Sequence, residues 1–188
     1  MAFLAHGFVD GKYLRKVAEA AAVPFPDPQY LVARIVHSAE IQSWCAPGYA
    51  SFSTALARTT YYDGRPDDDA DISEDLRKYW DAIELLPDTQ LGFGSTRGGT
   101  RRRRPRQKGV DTLIAVDMLV GAFTNLFSVA VLIAGDADFV PVVNEVKRRG
   151  VMVVVAASSI DGSVSDDLRR AADRYFAIDP QQDYFRTL

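Results

Sequence analysis

The chain has 188 residues, 47% hydrophobic and 25% charged, with a formal net charge of -3, so it is expected to fold as one domain and is neither disordered nor fibrous. No run reaches about 18 consecutive apolar residues, which excludes a membrane-spanning helix at the level of sequence. The single cysteine, Cys45, cannot form an internal disulfide and suits a reducing, cytoplasmic setting.

The opening MAFLAHGFVD lacks a basic start and a small-residue cleavage site, so residues 2–9 are expected to be a buried strand ending at Asp10-Gly11 rather than a signal peptide. Residues 13–22 are expected to be a helix stopped by Pro24, Pro26 and Pro28, and residues 28–38 a second one with Leu31, Ile35 and Ser38 on one face. The stretch 57–62 (ARTTYY) is β-prone and is expected to turn at Asp63-Gly64. An acidic stretch over 67–75 leads into a helix over 74–86, ended by Pro87. Residues 91–96 read as a strand.

Residues 111–123 are expected to be a helix with Leu113, Val116, Leu119 and Val120 as its apolar stripe. The run SVAVLIA at 128–134 and the run over 151–157 are apolar throughout, as strands covered on both faces are, and a helix over 139–149 lies between them, closed by Gly150. A last helix over 166–175 and a short edge strand over 175–178 complete the series. Strands alternating with helices around fully apolar central strands predict a three-layer α/β/α domain with a mostly parallel sheet, spanning residues 1–188 without a linker.

Charge is distributed unevenly. Seven basic residues (Arg97, Arg101, Arg102, Arg103, Arg104, Arg106 and Lys108) fall between 97 and 108 with no acidic one, leaving 15 basic against 25 acidic residues elsewhere. An acidic body carrying one cationic loop suggests a polyanion held at a defined place, although such a run can also be a solvated loop.

Ligands of open parallel sheets bind beyond the carboxyl ends of the strands. Asp10 ends the first expected strand, Asp136 follows SVAVLIA, Asp138 opens the next helix, and Asp111 stands at a helix start. Each alone could be a helix cap. Three or four on one edge would repel one another, by roughly 4 kcal/mol for two charges 4 Å apart at an effective dielectric of 20, and a cation would relieve that cost. Oxygen ligands suit Mg²⁺ or Mn²⁺ rather than zinc. Asp117 lies about 120° around the helix from Asp111, so the two do not share a face. His6 and His37 fall in apolar segments, as core or helix-face residues do, and no His/Cys spacing indicates zinc.

The segments FVDGKYL (residues 8–14), KGVD (108–111) with Asp117, and AGDADFVPV (134–142) resemble the NYN domain of the PIN-like nucleases, most of all its LabA-like bacterial branch, and the tail DLRRAAD (167–173) is similar too. The resemblance implies a PIN-like α/β/α fold and a metal-dependent ribonuclease, expected to be an endonuclease. The family's acidic pocket carries over to Asp10, Asp111, Asp136 and Asp138, with Asp117 as a fifth residue, holding Mg²⁺ or Mn²⁺. RNA is the implied substrate, with Arg101, Arg102, Arg103, Arg104, Arg106 and Lys108 on its phosphates. One position departs from the pattern: the family usually has Asn two residues after the first Asp-Gly, where this chain has Tyr13, and a phenol cannot copy an amide's hydrogen bonds. A catalytically weak RNA-binding or regulatory module on the same fold is therefore the alternative. The segment VLIAGDADFV (131–140) also fits an aspartyl-phosphatase motif, but that reading leaves Asp10, Lys108 and Asp111 unexplained.

Overall fold

The computed structural model describes residues 2–45, 53–66, 72–97, 106–158, 160, 163–183 and 185–188. In chain order the elements are β1 (Ala2–Asp10), α1 (Gly11–Ala20), α2 (Pro28–Val36), α3 (Ala39–Cys45), β2 (Ser53–Pro66), α4 (Glu74–Glu84), β3 (Thr89–Arg97), β4 (Arg106–Lys108), α5 (Val110–Phe123), β5 (Val129–Ile133), α6 (Val140–Arg148), β6 (Met152–Ser158), α7 (Asp166–Ala171) and β7 (Arg174–Ile178). They build one seven-stranded sheet in the order β4-β3-β2-β1-β5-β6-β7. All neighbours pair in parallel except β4, which runs antiparallel at the edge beside β3.

Alternation along the central strands sorts the core into two layers. Val131 and Ile133 of β5 join Val9, Leu14, Leu31, Ile35, Tyr61 and Ile83 on the face covered by α1, α2 and α4. Their neighbours Ala130 and Leu132 join Phe8, Ile114, Met118, Phe139 and Val143 on the face covered by α5 and α6. Every residue of β5 is buried, and each large aliphatic side chain so removed from water contributes about 1.5–3 kcal/mol. The expected three-layer α/β/α architecture is thus the observed one, of the PIN-like kind.

The strand order fixes where a site can form. From β1 the chain moves outward to β2 and β3, then returns to place β5 on the other side of β1 and continues to β6 and β7. The direction of winding therefore reverses between β1 and β5, and a crevice opens there beyond the carboxyl ends of those strands.

Several elements differ from the sequence reading. Asp63-Gly64 is not a turn: β2 runs through it to Pro66, paired with Phe93 and Gly94 of β3. Two elements were not anticipated, α3 and the short β4, so the basic stretch is not loop throughout; Arg97 and Arg106 are register partners in a hairpin. Arg101, Arg102, Arg103 and Arg104 lie outside the described residues, and for Arg106 and Lys108 only the backbone is described. The buried stripe of α5 is Val110, Ile114, Met118 and Gly121, whereas Val116 and Val120 are about half exposed; in a helix this apolar all round, hydrophobicity does not single out the face that packs. Finally, α7 stops at Ala171 because the chain beyond is held elsewhere. Lys147 donates to the Ala171 carbonyl at 2.7 Å and pairs with Asp173, whose carboxylate accepts the Val153 N–H at 2.8 Å.

Candidate active-site cleft

A cleft of about 510 Å³ opens at the β1/β5 crossover, and Asp10, Asp111 and Asp136 all line it, together with Lys12, Tyr13, Lys16, Gly135, Ser163 and Ser165. Asp10 is the last residue of β1 and the N-cap of α1, its Oδ1 accepting the Tyr13 N–H at 3.0 Å. Asp136 repeats this device after β5, its Oδ1 accepting the Asp138 N–H at 3.0 Å across the short 3₁₀ turn Ala137–Phe139. Asp111 is not a cap. Gly109 takes the N-cap position of α5 with φ 91°, left-handed backbone that glycine adopts without steric cost, and so sets Asp111 in the first turn. A carboxylate there also gains from the helix dipole.

The electrostatics record crowding of like charge. Burial pushes the Asp10 carboxyl up to about 6, with Asp111 and Asp63 adding to the shift against the hydrogen bonds from the backbone N–H groups of Tyr13 and Lys12. Asp111 is also raised, by burial and then by Asp136 and Asp138, with Lys12 opposing. Asp138 thus acts on the cleft through its field, although it is exposed and does not line it. Asp117 stands outside the cleft lining, further along α5, where the Tyr62 hydroxyl donates to it at 2.8 Å. His6 is partly buried, stacked on Phe8 and held neutral, its pKa lowered to about 4 by burial and by Arg58, while His37 is exposed at the end of α2.

Among the described residues, no three His, Cys, Asp or Glu side chains converge as a ready ligand cluster. The charged oxygen donors that line the cleft are the carboxylates of Asp10, Asp111 and Asp136, and two of them have pKa values raised first by burial and then by neighbouring acids. Such a set fits a hard divalent cation of the kind held by one or two carboxylates that keeps several of its waters.

Several features of the site carry no sequence signal of the kind that flags acids. Lys12 and Lys16 project from α1 beside the aspartates. Ser163 and Ser165, from the segment after β6, form the opposite wall, tied to it by the Ser165 N–H donating to the Gly135 carbonyl at 2.8 Å. Tyr13 bridges to this wall: its hydroxyl accepts the Ser158 N–H at 2.9 Å and lies 3.5 Å from Ser163 Oγ. Gly135 is required by this approach, because a Cβ there would stand 2.1 Å from the Ser163 carbonyl oxygen and 2.6 Å from the Tyr13 ring. Beneath the cleft, Arg15 of α1 forms a two-pronged ion pair with Asp63, which is 1% exposed and also accepts from Trp80 Nε1 at 3.0 Å and from the Gly64 N–H at 2.8 Å. This pair joins α1 to the carboxyl end of β2 one turn after Asp10.

Six parallel strands in three layers, with carboxylates gathered at the crossover, define a PIN-like, nuclease-type domain. Residues 8–179 match the NYN domain, and the chain belongs to that family; the match does not distinguish the LabA-like branch. No curated protein matches the chain significantly. Among solved structures, a protein of unknown function from Vibrio parahaemolyticus is similar in fold, with a TM-score of 0.65 at 18% identity, covering 97% of this chain and 95% of that one. No helix among the described residues is long and apolar enough to cross a membrane.

Proposed function

We propose that the protein is a metal-dependent ribonuclease of the LabA-like branch, a cytoplasmic single-domain enzyme that cuts RNA phosphodiester bonds internally. The observation that carries this reading is the sharing of one cleft by Asp10, Asp111 and Asp136 at the β1/β5 crossover. Asp10 and Asp136 would hold Mg²⁺ or Mn²⁺, with Asp111 and Asp138 binding it or orienting its waters and Asp117 outermost. Bound there, the cation would supply Lewis acidity and lower the pKa of a water.

The chain's own residues do the rest. Lys12 and Lys16 meet the phosphate oxygens, which the aspartates alone would repel. Asp111, which lines the cleft, would orient the attacking water, with Asp138 adding its field from the cleft's edge. Arg101, Arg102, Arg103, Arg104, Arg106 and Lys108, which shortly precede Asp111 in the sequence, bind the phosphate backbone without reading sequence.

The test is incubation of end-labelled RNA with Mg²⁺, with Mn²⁺ and with chelator, beside Asp136→Asn, which keeps size and cap geometry but removes the charge. Cleavage that needs the metal and disappears in the variant is expected, and circular RNA should be opened as readily as linear RNA is cut. Tyr13, standing where the family has Asn, favours the second reading, a binding or regulatory module. That reading prevails if wild type binds RNA and leaves it intact with either metal.

A further inference from the structure

Beside the cleft lies a second cavity, of about 300 Å³, between α1 and the segment that follows β6. Val17, Ala20 and Ile160 give it apolar walls, while Tyr13, Lys16 and Ser163 belong to both cavities and form the partition between them. From this shared wall we infer that the side cavity receives the nucleobase of the nucleotide adjoining the phosphate in the cleft. The inference rests on the nuclease reading for the place of the phosphate.

Three observations carry it. The Tyr13 hydroxyl is anchored by the Ser158 N–H at 2.9 Å, so its ring is a fixed wall for a flat partner, with little conformational freedom left to lose on binding. Aromatic side chains and bases stack by their π faces, which tolerates any base. Next, Lys16 is exposed and makes no ion pair among the described residues; standing on the partition, it can neutralise the phosphate that links the nucleotide in the cleft to its neighbour. Lastly, Ile160 is 40% exposed, so an apolar surface is open to solvent at the cavity mouth, where an inserted base would cover it. A base paired and stacked within a duplex reaches such a cavity only by being flipped out, so an unpaired strand enters it more readily.

Binding is measured in chelator, with a short fluorescent single-stranded RNA carrying one abasic nucleotide at each position in turn. In wild type, one position, next to the scissile phosphate, should lose about tenfold in affinity, the order of a single base stack. Ala20→Phe, an exposed site at the end of α1, fills the cavity; it should weaken the intact oligonucleotide by a similar factor and abolish the penalty at that position. Ile160→Asp repeats the test from the opposite wall should the first variant fold poorly. Equal affinity for every abasic oligonucleotide in wild type, or an unchanged penalty in both folded variants, overturns the inference. Cleavage assays on the same strands separate the two readings: cutting without the abasic signature refutes the cavity alone, and the signature without cutting refutes the nuclease alone.

Discussion

Replacing Arg15 by Met removes the cation from beneath the cleft while keeping a long apolar stem. Asp63, at 1% exposure, would then keep the neutral donors Trp80 Nε1 and Gly64 N–H but lose both prongs of the guanidinium. Breaking a buried pair from one side costs up to about 3–5 kcal/mol, because the remaining desolvated charge loses its strongest compensation. For a chain of this size each kcal/mol moves the melting temperature by roughly 2–4 °C, so Arg15→Met should melt up to about 6–20 °C below wild type. The Arg15 side chain is itself 16% exposed, so Asp63→Asn should cost less than Arg15→Met. Urea denaturation of wild type, both single variants and the double variant, all in chelator, closes the cycle, and a coupling of at least about 2 kcal/mol is expected. With the guanidinium gone, the Asp63 charge would also push Asp10 further up, since Asp63 already raises it. If Arg15→Met costs under about 1 kcal/mol, or if the two substitutions simply add, the pair is solvated and the account of how α1 is fixed fails.

Stability in chelator should depend on Asp10 with an unusual sign. Its pKa rises from 3.8 to about 6 on folding, so the folded state binds more protons between those values and stability from this group falls as pH rises. Asp10→Asn should therefore be more stable than wild type above about pH 6, by up to about 3 kcal/mol, with the gain gone near pH 4; denaturation at both pH values checks it, and a variant less stable at neutral pH refutes it. Gly135→Ala should cost about 1–3 kcal/mol, as overpacking does, and reduce cleavage by displacing the Ser163 wall; unchanged melting and turnover would show that the wall is free to move. Replacing Arg101, Arg102, Arg103 and Arg104 with Ser should flatten the slope of log Kd against log salt by about 0.7 per lost contact on single strands and raise KM with little change in turnover, whereas equal slopes would make the strip a bystander.

The parts of the fold legible in the sequence were those in which hydrophobicity leaves no choice. The runs forming β5 and β6 are apolar on both faces because helices cover both, and Asp10 ends β1 while Asp136 follows β5 by three residues, on the edge that the parallel order shares. The face of α5 was not legible, because Val116 and Val120 are as apolar as Ile114 and Met118, and only the placement of the sheet decides between them. Nor was the passage of β2 through Asp63-Gly64: turn chemistry was overridden by pairing with β3 and by the Arg15 and Trp80 donors, which come from distant segments. Tyr13 reads as an isolated departure from a motif, and its partners lie 145 and 150 residues away in the chain.

Asp10 and Asp136 each accept backbone N–H groups where a helical turn begins, a task that asparagine performs equally well. Descendants of this chain could therefore exchange either acid for its amide and keep their strand ends, their turns and their outline. Shape and chemistry are then inherited separately here. Two relatives could superpose closely and still differ in what they do, and resemblance of backbone across such a lineage would record common ancestry while leaving any reaction to be read from the side chains that line the cleft.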